Sequence, residues 1–269
     1  MCPWIRYRDI AVGSIQFGQV FKVPNMQLIK QGELPVCADA ELIARHLPVQ
    51  DSTLLELGCG SAFTTRRLAE NHPSVRIIAT EVDRIQHEKN LQIDDLPTVS
   101  FRYGGVEAID APDASIDAVI MLKSLHHVPM ELMDQGFAEI ARVLKRGGLA
   151  YISEPVYAGE FNQILRLFND EKSVREAAFA AVQRAVGSVD FELQEEIHCH
   201  SISRFDGFEA FEERVLGATH SNFDIDQARY EQIKAQFLPH IGKDGVAQFL
   251  NPLRVDILRR ARITGPSQC

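Results

Sequence analysis

Short apolar runs alternate with helix-spaced apolar stripes through the middle of this chain. STLLEL (52–57), VRIIAT (75–80), TVSFRY (98–103), IDAVIML (116–122) and LAYISE (149–154) read as buried strands. Between them AFTTRRLAEN (62–71), RIQHEKNLQI (84–93) and ELMDQGFAEIARVL (131–144) read as helices, the last with Met133, Phe137, Ile140, Ala141 and Leu144 on one stripe. Gly147 and Gly148 are expected to stop that helix. Apolar strands separated by single helices imply a parallel sheet covered on both faces, so the fold expected is α/β and doubly wound.

Outside this core the pattern changes. The stretch from Trp4 to Val23 is β-branched and aromatic and reads as an N-terminal flap, within residues 1–35. Asp39 is expected to cap a helix over ADAELIARHL that ends at Pro48, and residues 36–154 form the core. After Pro155, FNQILRLFNDEKSVREAAFAAVQRAV predicts one or two helices, taken as a helical cap over 155–190. Residues 191–269 then supply a strand at FELQEEIHCHSI and helices at FEAFEERVL and DQARYEQIKAQFL, with Asp224 and Gln227 as a capping box. RVDILRR is expected as an antiparallel edge strand completing seven strands. With no repeat, low-complexity tract or linker, 1–269 reads as one domain.

Composition narrows the function. At 45% apolar and 24% charged the chain is an ordinary globular one. Its 37 acids against 28 bases give a net charge of −9, opposite to what a phosphate-backbone binder needs, so nucleic acid is not expected as partner. The N-terminus lacks a signal-peptide run, and no apolar stretch reaches the ~18 residues a membrane span requires. Five scattered cysteines, never in a C-x-x-C pair, suggest neither a disulfide framework nor a zinc knuckle, and a reducing cytoplasm is expected.

In such a sheet, ligands bind beyond the carboxyl ends of the strands. After the first strand comes Glu56-Leu57-Gly58-Cys59-Gly60-Ser61-Ala62-Phe63, a glycine turn opening a helix. After the second comes Glu81, 21 residues beyond Gly60, where an acid accepts ribose hydroxyls. A nucleoside cofactor follows. The dinucleotide fingerprint needs a third glycine where this chain has Phe63, so a nicotinamide-dependent oxidoreductase loses ground.

E-x-G-x-G, an acid after the second strand, SIDAVIML, then SLHHV and LKRGG together resemble the class I S-adenosylmethionine-dependent methyltransferases, over Thr53 to Glu154. The resemblance is nearest the small-molecule branch that includes the quinone-biosynthesis enzymes, and it implies a Rossmann-like sheet with S-adenosylmethionine as cofactor. By that resemblance Glu56, Gly58, Cys59 and Gly60 surround the methionyl end, Glu81 holds the ribose, and Val82 packs on adenine. Gly105, Val106 and Glu107 meet the adenine edge, and Leu122 and Lys123 pass close through backbone atoms. Two positions depart from the family's habit: Ala62 stands where glycine is common, and Gly105 where an acid is, which shifts the adenine contact to Glu107.

Methyl transfer from a sulfonium needs orientation and dryness more than acid–base help. Where the acceptor must lose a proton, His127 is the first candidate base and His126 the second, one of the pair facing the site. Glu154, closing the fifth strand, is a third candidate. Tyr157, Phe161 and Phe168 are candidates to roof a substrate cavity. His198 and His200 share a strand face without further ligands in view, so no metal is expected. Arg204 and Arg214 suit an acidic substrate, but nothing in the sequence brings them to the site. The expected partner is a small-molecule methyl acceptor; the rival is a protein that binds the cofactor without turnover. Oligomeric state is not readable.

Overall fold

The computed structural model describes residues 26–30, 32–217 and 223–262. The flap pattern of Trp4 to Val23, Cys2 and Cys269 lie outside them. Seven strands form one sheet: β1 (Thr53–Leu57), β2 (Arg76–Glu81), β3 (Val99–Tyr103), β4 (Ile116–Leu122), β5 (Leu144–Pro155), β6 (Phe191–Asp206) and β7 (Val246–Arg260). Their order is β3-β2-β1-β4-β5-β7-β6. The first five run parallel, and β7 is antiparallel to both of its neighbours.

Period-2 alternation decides what each face holds. Leu55, Leu57, Val119, Met121, Ala150 and Ile152 point to the layer of α4 (Met133–Val143) and α6 (Lys172–Val186). Leu54, Ala118, Ile120 and Tyr151 point to the layer of α1 (Asp39–His46) and α2 (Phe63–Asn71). The helix α3 (Arg84–Asn90) follows β2 and is capped by Asp83, whose carboxylate accepts from the Ile85 N–H at 2.9 Å.

Several expectations are corrected. The last strand is interior, because the longer β6 pairs outside it and becomes the edge. Gly147 and Gly148 do not stop α4; the backbone is already extended at Leu144, which pairs with Ile116. Asp39 is the first residue of α1, and its side chain accepts from the Tyr151 hydroxyl at 2.9 Å. The cap of α8 (Gln227–Phe237) is Asp226, which accepts from the Arg229 N–H at 2.7 Å, and Asp224 is not involved.

The cap is also built differently. Within 155–190, α6 belongs to the sheet layer, since Ala178, Ala181, Val182 and Ala185 bury themselves against it. Only α5 (Glu160–Leu165) rises above the strand ends. Beyond Leu253, opposite Pro155 at the end of β5, β6 and β7 continue alone as a two-stranded arm. That arm, α5, α7 (Gly207–Phe211), a π-turn over Glu212–Leu216 and α8 enclose a third core of phenylalanines: Phe205, Phe208, Phe211, Phe237 and Phe249.

Cys37 and Cys199 are joined by a disulfide, which corrects the reading of scattered cysteines. They are 162 residues apart in sequence but adjacent in space, because the Cys37 N–H donates to the His200 carbonyl and the His200 N–H to that of Pro35. The cysteine pattern therefore no longer points to a reducing compartment. No helix among the described residues is long and apolar enough to cross a membrane.

Candidate functional site

The turn after β1 is shaped by backbone that most side chains avoid. Gly58, Gly60 and Ala62 take φ of 76°, 52° and 59°. A Cβ on Gly58 would stand 2.8 Å from that of Ser124, so the β1 and β4 loops touch there. A Cβ on Gly60 would meet nothing within 4 Å. The loop thus leaves open space directly above its backbone, which fits a cofactor lying against it. Ala62, at the family's usual glycine, adopts the left-handed conformation that glycine takes most readily.

Around this cradle the acids are held by the chain. Glu81 Oε2 accepts from the Gly60 N–H at 2.8 Å, and Oε1 accepts from the Val82 and Asp83 N–H groups at 2.8 and 2.9 Å. Glu56 is buried and takes a hydrogen bond of 2.6 Å from the Thr65 hydroxyl. Burial pushes its carboxyl up to about 7, against the lowering effect of Thr65 and with a further push from Asp39 and Glu81. Cys59 is buried beside Asn90, whose Nδ2 donates to the Gly60 carbonyl at 2.8 Å; burial drives this thiol well above the usual range.

The remaining predicted cofactor residues divide. Val82 is exposed at the rim, and Lys123, with φ of 55°, carries the chain past the β4 end while its N–H donates to the Ser153 carbonyl. Leu122 is half-buried just before it. The Glu107 carboxylate folds over Gly105, filling the space a Cβ there would need. Val106 is different: it is buried in the core and packs on Gly136, so its side chain is committed to α4.

A cavity of about 290 Å³ adjoins the β4 and β5 ends. Lys123, His126 and His127 line one side of it, Phe161, Leu165 and Phe168 another. Both histidines reach the cavity, where the sequence led us to expect one, because they sit on a short 3₁₀ turn (Leu125–His127) with ring centroids only 4.1 Å apart. His126 is buried, and its Nδ1 lies 2.6 Å from Glu154 Oε2; His127 is exposed. Glu154 Oε1 also accepts from the Leu125 N–H at 2.9 Å. Tyr157 does not line the cavity, whereas Arg214 does. His198 stays on β6, where Nε2 meets Glu196 at 2.9 Å.

Glu171, Arg175 and Asn162 were not singled out by the sequence. Glu171 Oε2 lies 3.9 Å from His126 Nε2 and 2.6 Å from Arg175 Nη2, while Asn162 accepts from Arg175 Nη1 at 3.1 Å. Despite its burial, the Glu171 carboxyl is held below its ordinary value by Arg175 and then His126. Donor atoms of His126, His127 and Glu171 fall within 4.8 Å of one another. Glu171 is already engaged by Arg175 and by Asn169 Nδ2 at 2.8 Å, so the set is an ion-pair network around the histidines. An i, i+4 acid–base pair opening a helix reads as surface, and no periodicity signals that it faces a cavity.

Similarity to known proteins agrees with this geometry. Residues 54–148 match the family described as Methyltransferase domain. The 27-O-demethylrifamycin SV methyltransferase of Amycolatopsis mediterranei is 30% identical over 74% of this chain and 70% of its own length. The ribosomal RNA large subunit methyltransferase G of Vibrio vulnificus is 24% identical over 49% of this chain, which spans only 38% of that protein. The crystal structure of the YcgJ protein of Bacillus subtilis shares the fold, with a TM-score of 0.56 at 17% identity over 83% of this chain and 98% of its own. The chain belongs to the class I S-adenosylmethionine-dependent methyltransferases. S-adenosylmethionine is its cofactor and methyl transfer its chemistry.

Proposed function

We propose that this enzyme methylates a small organic molecule held in the cavity between the β4 and β5 ends and the cap. The carrying observation is the cavity itself: at about 290 Å³ it has room for a compact organic molecule, and it begins at Lys123, next to Ser124, whose Cβ packs on Gly58 of the glycine turn. The net charge of −9 adds a repulsive field for RNA.

When bound, S-adenosylmethionine supplies an electrophilic methyl group. The chain's part is to place and deprotonate the acceptor. Gly58 and Gly60 would let the cofactor lie on the backbone, Glu56 would face its ammonium end, and Glu81 would take the ribose hydroxyls. Glu154 accepts the Nδ1 proton of His126 and thereby leaves Nε2 as the lone-pair nitrogen on the cavity side. His126, rather than the first-choice His127, is then the better-oriented base, and the Glu171 carboxylate 3.9 Å away stabilises the imidazolium that forms.

The test is S-adenosylhomocysteine release against a panel of small hydroxylated and amino compounds, with total ribosomal RNA as a parallel acceptor. Turnover of a small compound is expected. Turnover confined to RNA overturns the reading.

A further inference from the structure

The acceptor cavity is electropositive although the chain is acidic. Among the described residues Lys123, Arg175 and Arg214 line it against a single carboxylate, Glu171, in a protein of net charge −9. Two of these cations are matched. Arg175 Nη2 meets Glu171 Oε2 at 2.6 Å, and Lys123 Nζ lies 3.9 Å from Asp39 Oδ2.

Arg214 has no such partner among the described residues. Its Nη1 donates to the Arg204 carbonyl at 2.9 Å, and its guanidinium carbon sits 5.0 Å from the centre of the Phe205 ring. A backbone bond and an aromatic face hold it in place, yet it makes no ion pair among the described residues. Ser201, Ser203 and Asn251, on the β6–β7 arm, share the same cavity lining, with Asn251 Nδ2 donating to Ser203 Oγ at 2.8 Å. A guanidinium with spare N–H groups that shares a cavity with hydroxyls is suited to receive a carboxylate.

We infer that the methyl acceptor is an organic monoanion whose carboxylate is seated by Arg214 at the arm. Its apolar body lies against Phe161, Leu165 and Phe168, and its nucleophile faces His126 and His127. One unmatched cation suits one negative charge, which favours a carboxylate over the dianion of a phosphate monoester. This rests on the small-acceptor reading above and narrows it to a class of substrate.

The experiment is calorimetric titration of the full chain, saturated with S-adenosylhomocysteine, with straight-chain alkanoates of four to ten carbons and with the matching primary alcohols. At least one alkanoate is expected to saturate about tenfold or more tighter than its alcohol, the range of a charge-assisted hydrogen bond. Arg214→Gln should erase that preference while S-adenosylhomocysteine still binds, which also shows that the variant is folded. No saturation by any alkanoate, or a preference that survives Arg214→Gln, overturns the inference. RNA-only turnover in the acceptor panel fails the broader reading instead, so the two failures are distinguishable.

Discussion

His126 and Glu154, both buried at the β4 and β5 ends, meet at 2.6 Å between Nδ1 and Oε2, and in the proposed reaction this contact leaves Nε2 to face the acceptor. Glu154→Gln keeps the shape but offers an amide in place of the carboxylate. It should lower kcat by about 10²-fold or more, the usual share of a positioned base, with the cofactor Kd unchanged. His126→Ala should do the same, and His127→Ala should cost less. Steady-state kinetics with titrated cofactor binding checks this; equal losses at both histidines would return the base to an open assignment.

Glu56 gives a pH dependence with a defined sign. Burial raises its carboxyl from 4.5 to about 7, so the free protein holds this proton in acid, while the proposed pairing with the cofactor's ammonium requires the carboxylate. Binding should release a proton and weaken by about tenfold per pH unit well below 7. The same shift makes the cofactor-free protein lose stability as pH climbs from 4.5 through about 7, because the folded chain binds more protons there than the unfolded one. Titrations in buffers of differing ionisation heat read the released proton, and Glu56→Gln should abolish it.

Gly60→Ala separates binding from folding. The added methyl meets no protein atom within 4 Å, and the cost of φ at 52° is about 1–2 kcal/mol. Thermal unfolding should therefore remain cooperative and only slightly shifted, while S-adenosylmethionine binding is lost. Undiminished affinity would remove the cradle from the cofactor site.

The Cys37–Cys199 disulfide spans 162 residues and ties the chain before α1 to β6. Cys37→Ser, or reduction by dithiothreitol, should lower unfolding stability by about 2–5 kcal/mol. Denaturant curves of the oxidised and reduced protein measure it directly.

The strands and helices of the parallel core were legible because each is a short apolar run or a stripe of helical period, and the position of Glu56, Gly58, Gly60 and Glu81 at the ends of β1 and β2 was legible because it follows from that core. The arm was not. A sequence such as FELQEEIHCHSI shows a strand, but nothing in it tells that β6 pairs with β7 far past the end of β5. Arg214 reaches the cavity beside Arg204 of that arm, Glu171 reaches it from the start of α6, and Cys37 finds Cys199 through the bridge between Val36 and His200. These are relations of long sequence separation, invisible to periodicity.

Because β7 passes without a break from the sheet, at Leu253–Arg259, into the arm, at Val246–Pro252, the cavity wall that Asn251 and Pro252 form is continuous with the sheet. Swinging the arm away would tear the ladder that holds β6 to the sheet. The facing wall, formed by Phe161 and Leu165 of α5 and by Arg214 and Val215 of the π-turn, is built from helical turns outside that ladder. Changes that widen substrate range should accumulate in those two segments and leave the ladder alone.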